Sequence, residues 1–357
     1  MRWPAGGACM RLWFDVLTPK QVLFFKPAID LLTADGHEVL ATSRGYREVE
    51  QVAARVGLGL QSVGSRGGKD ALGQLERSLE RMGALLPKIA AFSPDASVSV
   101  ASADCARISF GLRVRHVAVN DSPHSLVAGR LSLPLSHHVL SPWIIPYSAW
   151  SPFGITREQV TRYRALDPAA WLKRRPRRRA TGEGRAERAT ILVRLEESYA
   201  PYMAGSDESW SERVLAGLAR DFQGENLVAL CRYDDQLSRI KERFGKSFAV
   251  PETAVDGAEA IERSDVFVGL GGTMTAEAAL LGVPAVSAFQ GAELYTEKFL
   301  VSRRLLLKAR SAREVTRCVK RSLGEAYRKG YERRARALLD WMDDPAESVV
   351  RYLGSLA

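Results

Sequence analysis

The stretch that decides the fold is SDVFVGLGGTMTAEAALLGVPAVSAF, residues 264–289. Its first part, VFVGL at 266–270, is apolar and uncharged, as a buried strand is. Two glycines, Gly271 and Gly272, follow and allow positive φ angles and a close approach to the backbone. An apolar helical segment then runs to Gly282, a typical helix stop. A strand, a glycine turn and a helix in this order predict one βα unit of a parallel sheet.

The start of this helix predicts an anion site. The backbone N–H groups of Thr273, Met274 and Thr275 face the turn, and a helix N-terminus carries roughly half a positive charge. The two threonine hydroxyls add donors. A diphosphate would repel Glu277, so we expect this carboxylate to accept hydrogen bonds from the two neighbouring hydroxyls of a ribose. A capping box does not explain Glu277, because the residue three positions earlier is Met274; a favourable charge at a helix start is the remaining alternative.

The rest of the chain repeats the same alternation of strands and helices in two halves, which predicts an α/β protein. We expect two Rossmann-like domains with parallel sheets facing an interdomain cleft. The predicted boundaries are a disordered extension at 1–9, a first domain at 10–170, a basic linker at 171–188, a second domain at 189–335, and a C-terminal helix at 336–357 that packs back on the first domain.

Composition narrows the class of protein. The 357 residues are 46% hydrophobic and 26% charged, an ordinary globular balance. The four cysteines form no CxxC pair, which argues against zinc or a disulfide framework and fits a reducing compartment. No apolar run reaches the roughly 20 residues of a membrane span. The segment VLSPWIIPYSAW, 139–150, fits a buried strand or loop, with a membrane surface as the alternative. We therefore expect a cytoplasmic protein, peripheral at most at the inner membrane face.

The net charge of +10 raises the question whether the protein binds nucleic acid. Much of the excess lies in residues 173–188, which hold eight Lys or Arg and two Glu. No aromatic residue interrupts this run, and it contains no nucleic-acid-binding motif. We interpret it as a solvated linker, with attraction to anionic lipid or a polyanionic substrate as the alternative.

The motif GLGGTMTAEAALLGVPAV, 269–286, resembles the nucleotide-sugar motif of GT-B glycosyltransferases. It is similar to that of lipid-II-type N-acetylglucosaminyltransferases and UDP-N-acetylglucosamine 2-epimerases. The segments WFDVLTPKQVLFFKPAIDLLTADGHEVLATSR, 13–44, and VNDSPHS, 119–125, extend the resemblance to nearly the whole chain, toward an uncharacterised prokaryotic family of the same superfamily. The resemblance implies a GT-B-like fold in which the first domain is on the acceptor side and the second is the nucleotide-sugar domain. It also implies that residues 271–275 hold the diphosphate and Glu277 the ribose.

Catalytic candidates in the first domain follow its strands. The loop DVLTPKQ lacks the glycine-rich, His-containing sequence of the lipid-II-type transferases. Lys20 there offsets phosphate charge, whereas Gln21 cannot act as a base. Asp15 is a candidate base or the cap of the next turn. Asp121 or His124 would serve as the base that deprotonates an acceptor hydroxyl; the alternative is an Asx-turn with a hydrogen-bonded histidine.

Candidates in the second domain follow its strands in the same way. Arg194 and Arg232 each end a strand and either meet phosphate across the cleft or form surface salt bridges. Gln290, Glu293 and Tyr295 follow the strand after the motif helix, where the resemblance places contacts to the donor sugar.

Together these features predict a GT-B glycosyltransferase of the hexosyltransferase type that uses a nucleotide-sugar donor, with UDP as the expected nucleotide. The alternatives are a UDP-N-acetylglucosamine 2-epimerase-like enzyme and a non-enzymatic nucleotide- or glycan-binding protein. We expect no cofactor, since the nucleotide-sugar is the donor substrate, and no metal, since the sequence contains no HxH, HExxH or acidic metal cluster. The resemblance to GT-B enzymes implies that the helix dipole and basic side chains offset the charge of the leaving diphosphate. The expected acceptor is lipid-linked or a glycan.

Overall fold

The computed structural model describes residues 9–65, 67, 70–176, 187–196, 209–252 and 255–356. The chain divides into two compact units. The first contains Met1–Trp171 together with Asp343–Ala357, and the second contains Leu172–Met342. The predicted extension at 1–9 lies outside the described residues except for Cys9, and most of the basic run, 177–186, lies outside them as well.

The first unit is built on a seven-stranded sheet in which every neighbouring pair is parallel. Its strands are β1 (Arg11–Asp15), β2 (Glu38–Gly45), β3 (Gln61–Ser65), β4 (Ala96–Ser99), β5 (Arg115–Val119), β6 (His138–Pro142) and β7 (Val160–Tyr163). They lie in the order β3-β2-β1-β4-β5-β6-β7. The central strands are buried on both faces, as the parallel pattern requires.

The helices of the first unit cover both faces of this sheet. They are α1 (Pro19–Ala34), α2 (Arg47–Val56), α3 (Ala71–Phe92), α4 (Ala103–Gly111), α5 (Leu126–Ser132) and the short α6 (Ala169–Leu172), which crosses the boundary between the units. The connections through α1 and α2 run toward β3, whereas those through α3, α4 and α5 run toward β7. Because parallel crossovers are right-handed, the two sets of helices lie on opposite faces.

The second unit has a five-stranded parallel sheet in the order β12-β11-β10-β8-β9. Its strands are β8 (Thr190–Arg194), β9 (Asn226–Leu230), β10 (Val266–Gly269), β11 (Ala285–Ser287) and β12 (Leu307–Lys308). Its helices are α7 (Ser209–Asp221), α8 (Asp234–Phe244), α9 (Gly257–Glu262), α10 (Met274–Leu281), α11 (Tyr295–Ser302), α12 (Ala312–Ser322) and α13 (Glu325–Trp341). A last helix, α14 (Pro345–Gly354), returns to the first unit and packs on α1.

Each sheet has a point at which the strand order reverses. In the first unit the reversal lies between β1 and β4, and in the second it lies between β8 and β10. Ligands of such sheets bind beyond the carboxyl ends of the strands at this point. In the second unit these ends are Arg194 and Gly269, so the glycine motif leaves the sheet at the reversal.

The predicted fold class is confirmed: both sheets are parallel and the helices alternate with the strands. Residues 247–252 do not form a strand and contribute only an isolated bridge between Val228 and Ala249. The helix α5 and the strands β7 and β12 were not predicted, since they are short and their patterns are weak. Residues 139–150 include part of β6 and are mostly buried or half-buried, as expected for a strand and loop. No helix in the described ranges is long and apolar enough to cross a membrane.

Candidate functional site

The glycine turn of the second unit has the backbone that its sequence requires. Gly271 has φ 142° and Gly272 has φ 82°, both in the region that favours glycine. The Phe289 ring packs beside Gly271, at 3.4 Å from the place of a Cβ atom. Helix α10 then begins at Met274, after Thr273, whose hydroxyl makes no capping bond. The first-turn N–H groups of α10 therefore face the turn without a side-chain cap.

Gly269, the last residue of β10, is needed for a different reason. A Cβ at this position would overlap the Thr275 hydroxyl. The Thr275 side chain is thus folded back onto the end of the strand, and it is buried. Of the two threonine hydroxyls expected at the anion site, only that of Thr273 is half-exposed. The contribution of Thr275 to a bound anion would come from its backbone N–H.

Glu277 lies in the first turn of α10, and 6% of it is exposed. Its neighbours in the helix, from Thr275 to Leu280, are all buried, and the helix packs against α9, α11 and α13. A buried carboxylate costs free energy unless hydrogen bonds or charges satisfy it. Packing alone would favour an apolar residue here, so the carboxylate points to a requirement other than packing.

A row of residues in register crosses the carboxyl edge of the second sheet. Arg194 pairs with Gly269, Gly269 with Ser287, and Ser287 with Lys308. Arg194 Nη1 donates to the carbonyl of Cys231 at 2.9 Å. The structure thus places Arg194 at the same edge of the sheet as the glycine motif.

Lys308 is a member of this row that the sequence analysis missed. Its ammonium forms an ion pair with Glu297, whose other oxygen accepts from Ser287, and it lies 5.4 Å from the centre of the Phe289 ring. Phe289 is the ring that packs beside Gly271. No signal in the sequence marked Lys308, because β12 is too short to show a strand pattern.

The remaining candidates of the second unit are less enclosed. The backbone N–H of Arg232 donates to Gln236, and its side chain is half-buried. Gln290 is exposed and donates to the carbonyl of Ala288 at 3.2 Å. Glu293 is exposed and pairs with Lys298 at 3.0 Å. Tyr295 begins α11.

Asp15 of the first unit occupies a position unsuited to a base. It is fully buried at the end of β1. Its oxygens accept hydrogen bonds from Arg81 at 2.6 and 3.2 Å, from Thr42 at 2.8 Å and from Ser102 at 2.7 Å. Burial alone would lower the pKa of Arg81, but Asp15 and Asp104 raise it above its usual range. The carboxylate links β1 to β2, to α3 and to the start of α4, so we remove Asp15 from the catalytic candidates and assign it a structural role.

Lys20 and Asp121 meet in a charged cluster at the carboxyl end of the first sheet. Lys20 Nζ lies 2.6 Å from Asp121 Oδ2 and 2.7 Å from Asp167 Oδ2. Tyr163 donates to the other oxygen of Asp167, and Ser122 donates to Asp121 at 2.8 Å. Asp121 is half-buried, whereas 2% of the Asp167 side chain is exposed. The charge of the Lys20 ammonium is therefore compensated by these carboxylates, and Lys20 is not a free cation for phosphate.

The pKa values of the titratable groups in this cluster are shifted in different directions. Burial raises the pKa of Asp167, and repulsion by Asp121 raises it further, above the usual range of a carboxyl. Burial would also raise the pKa of Asp121, but the Lys20 ammonium outweighs it and lowers that pKa. Burial lowers the pKa of His124, against the opposing effect of Asp121. His124 is thus neutral near pH 7 and able to accept a proton, whereas ionised Asp121 is a weak base.

Asp167 and Tyr163 were not predicted as members of a site. They lie more than 40 positions beyond Asp121, at and after the end of the short strand β7. Only the Asp-Pro pair at Asp167, a common helix or turn start, marked this position in the sequence. Within the described ranges, no group of three or more His, Cys, Asp or Glu side chains is arranged to hold a metal ion.

Comparison with known protein families shows the family of this chain. Residues 10–353 match the model of the family described as protein of unknown function, DUF354. The chain belongs to this family. Uncharacterized protein MJ0665 of Methanocaldococcus jannaschii is 22% identical over 340 residues, which cover 88% of this chain and 92% of that protein.

Solved structures show the fold of this DUF354 protein over nearly its full length. The S. aureus MnaA–UDP co-structure matches with a TM-score of 0.78 and 13% identity over 98% of each chain. The Methanocaldococcus jannaschii UDP-GlcNAc 2-epimerase in complex with UDP-GlcNAc and UDP matches with a TM-score of 0.71 and 12% identity, covering 97% of this chain and 100% of that one. Spinosyn forosaminyltransferase SpnP matches with a TM-score of 0.66 and 17% identity, covering 98% and 100%. The fold is therefore that of GT-B glycosyltransferases and UDP-GlcNAc 2-epimerases.

Proposed function

We propose that this protein is a glycosyltransferase of GT-B type that binds a UDP-sugar on its second unit and transfers the sugar to an acceptor hydroxyl. The diphosphate rests on Gly271, Gly272 and the first-turn N–H groups of α10. Glu277 accepts hydrogen bonds from the two ribose hydroxyls. No cofactor or metal has a part in this proposal, because the helix dipole and nearby cations offset the charge of the leaving diphosphate.

One observation supports the proposal most strongly: the glycine turn at 271–272 and the buried carboxylate of Glu277 occur together at the start of α10. Two positive-φ glycines open the amino end of α10 at the point where the strand order reverses, which is where such sheets bind ligands. Glu277 is buried one turn further along an otherwise apolar helix. The nucleotide-bound structures of similar fold support a nucleotide as the ligand.

Two further cations suit the diphosphate. Arg194 ends β8 beside the motif, and Lys308 ends β12 next to the ring that packs on Gly271. Lys308 is held by Glu297, so its charge is partly compensated before a ligand binds. We assign direct phosphate contact to Arg194 and a supporting electrostatic role to Lys308. Arg232, Gln290 and Glu293 remain proposed contacts to the donor.

In this proposal His124 is the base of the transfer reaction. An inverting transferase removes one proton from the acceptor hydroxyl as the hydroxyl attacks the anomeric carbon. His124 is half-buried and neutral near pH 7, because burial lowers its pKa. The ionised Asp121, fixed by Lys20 and Ser122, then stabilises the histidine cation that forms.

The carboxyl pair of the first unit favours a second candidate function, epimerisation of the sugar at C2. Such a reaction needs one group that removes a proton and another that returns it. Asp121 and Asp167 flank the same ammonium, and their pKa values are shifted in opposite directions. The raised pKa of Asp167 suits it to return the proton, whereas ionised Asp121, although a weak base, would be the group that removes it.

Product analysis separates the two candidates. Incubation with UDP-N-acetylglucosamine alone, followed by chromatography and NMR of the nucleotide-sugar, detects an epimer without any acceptor. Transfer instead requires an acceptor and releases UDP. The proposal expects an unchanged sugar without acceptor and UDP release with one. A new epimer in the acceptor-free reaction would select the second candidate, and failure to bind any nucleotide-sugar would exclude both.

A further inference from the structure

The basic residues of the chain are concentrated near the end of the second unit. Residues 295–341 contain fourteen Lys or Arg and five Asp or Glu, an excess almost as large as the net charge of the whole chain. This range forms α11, β12, α12 and α13. A surface with such an excess of positive charge raises the local concentration of anions. A specific anion site in this range needs cations that the protein does not already compensate.

A cavity of about 350 Å³ lies beside β12, the edge strand of the second sheet. This volume falls within the range of small-molecule sites. Among the described residues, its lining includes three arginines and a tyrosine but no acidic side chain. The polar side of the cavity consists of Arg304, Arg321, Tyr327 and Arg334, and its apolar side includes Val301 and Leu307. The cavity therefore offers a cationic wall opposite an apolar one.

The three arginines of this cavity form no ion pair within the part of the chain that the structure describes. Arg334 Nη2 donates to the carbonyl of Arg304 at 3.2 Å, and Arg334 Nε is buried without a hydrogen-bond partner there. A Cβ atom at Gly330, inside α13, would stand 3.2 Å from Arg334 Nη1, so glycine leaves room for the guanidinium. The Arg334 guanidinium is thus positioned by uncharged groups, and its charge is not compensated.

Tyr327 connects two of these arginines. The guanidinium carbon of Arg321 lies 5.3 Å from the centre of the Tyr327 ring. Burial raises the pKa of Tyr327, whereas Arg321 and Arg334 lower it, so both cations act on the same phenol. Tyr327 is half-buried, and its hydroxyl can donate to an anion that the two guanidinium groups hold.

The acidic residues of the same range do not compensate the cavity. Three of the five form ion pairs with cations outside the lining, namely Glu297 with Lys308, Glu314 with Arg317, and Glu325 with Lys329. The other two, Glu332 and Asp340, line a separate cavity beside the end of α10. The charge at the cavity beside β12 is therefore positive when all five acids are counted.

The chemistry of the lining selects the class of ligand. Guanidinium groups match the oxygens of phosphate in geometry and charge, and several of them favour a group with more than one negative charge. The apolar wall suits an organic substituent next to that group. A cavity of this size encloses one small molecule, whereas a nucleic acid would use an open basic groove with aromatic stacking.

We propose that the cavity beside β12 binds a small phosphate ester. Its phosphate lies between Arg321 and Arg334, with Tyr327 as a further donor, and its organic part lies against Val301 and Leu307. This site is separate from the glycine turn, because the turn follows β10 and β11 lies between β10 and β12. The inference does not depend on the nucleotide-sugar proposal.

Saturation-transfer NMR with phenyl phosphate tests this proposal on the full chain, with inorganic phosphate as a competitor. Wild type should bind phenyl phosphate at millimolar concentration and inorganic phosphate more weakly. Arg321→Gln/Arg334→Gln should bind both at least about tenfold more weakly, because charged hydrogen bonds are lost. Val301→Ser should weaken phenyl phosphate binding about threefold and leave inorganic phosphate binding unchanged, because only an apolar contact is removed.

A matched pair of substitutions controls for general charge effects. Arg313→Gln/Arg333→Gln replaces two exposed arginines of α12 and α13 outside the cavity, and this variant should bind phenyl phosphate as wild type does. Glu277→Ala should also bind phenyl phosphate normally, and Arg321→Gln/Arg334→Gln should keep its affinity for UDP. Failure of the nucleotide-sugar proposal would therefore be distinguishable from failure of this one.

Three results would overturn the proposal. The first is no binding of phenyl phosphate by wild type at millimolar concentration. The second is undiminished binding by Arg321→Gln/Arg334→Gln in a protein whose circular dichroism shows that it is folded. The third is an equal loss in both arginine double variants together with binding of an oligonucleotide, which would assign the positive charge to a nucleic-acid surface.

Discussion

Arg81 Nη2 lies 2.6 Å from Asp15 Oδ1 in an ion pair from which solvent is almost fully excluded. Replacing Arg81 by Met would leave the Asp15 carboxylate buried without its cation. We expect a loss of about 3–5 kcal/mol in the free energy of unfolding, measured by urea denaturation. Arg77→Met in the same helix is the control, because its pair with Glu80 is exposed and should contribute at most about 1 kcal/mol. Equal stabilities of the two variants would contradict the structural role of Asp15.

The close approach of Gly269 to Thr275 predicts that a second substitution can restore what the first one removes. Gly269→Ala places a methyl group on the Thr275 hydroxyl, so the turn must shift. We expect a loss of about 1–3 kcal/mol in stability together with weaker nucleotide binding. Thr275→Ala removes the hydroxyl, and the double variant Gly269→Ala/Thr275→Ala should recover most of the loss. Additive effects of the two substitutions in a double-mutant cycle would show that they do not share this contact.

His124 is predicted to act in the chemical step rather than in donor binding. His124→Ala should lower kcat of sugar transfer by about 10²–10⁴-fold, the range of general base catalysis, and leave the Kd of the nucleotide unchanged. The exposed His137 provides the control, and His137→Ala should retain wild-type kcat. A His124→Ala enzyme with normal kcat would move the role of base to another residue of the charged cluster.

His116 is expected to make the stability of the first unit depend on pH. The ring is fully buried between Ser97 at 2.8 Å and Ser99 at 3.2 Å, and burial lowers its pKa from 6.5 to about 4. Because the pKa is lower in the folded state than in the unfolded state, the unfolded chain binds the extra proton first. The stabilisation is complete above about pH 6.5 and is lost as the pH falls toward 4.

This loss amounts to about 3 kcal/mol between neutral pH and pH 4. Urea denaturation at the two pH values measures it. His116→Gln keeps a polar side chain that cannot titrate, so its stability should fall by about 3 kcal/mol less than that of wild type over the same interval. If both proteins lost the same free energy of unfolding between neutral pH and pH 4, His116 would not be the group that makes the stability depend on pH.

The sequence predicted those parts of the fold that depend on local signals. The unit from β10 to α10 was recognisable because its apolar strand, paired glycines and helix stop are adjacent in the chain. Asp15 was listed as a candidate base because its partner, Arg81, is 66 positions away in the chain. The local sequence does not show which residue of α3 lies against β1. Lys308 and Asp167 were missed for a different reason, because β12 and β7 are too short to show a period.

The titration that tests the central claim most directly is calorimetry of UDP, GDP and ADP with wild type, Glu277→Ala and Glu259→Ala. Glu259 is an exposed carboxylate in the first turn of α9 and serves as the matched control. The account predicts that wild type and Glu259→Ala bind UDP alike. It predicts that Glu277→Ala, still folded, binds UDP about 10- to 100-fold more weakly, the cost of hydrogen bonds to a charged group. Binding of UDP by Glu277→Ala as tight as that by wild type, or no binding of any of the three diphosphates at millimolar concentration, would contradict it.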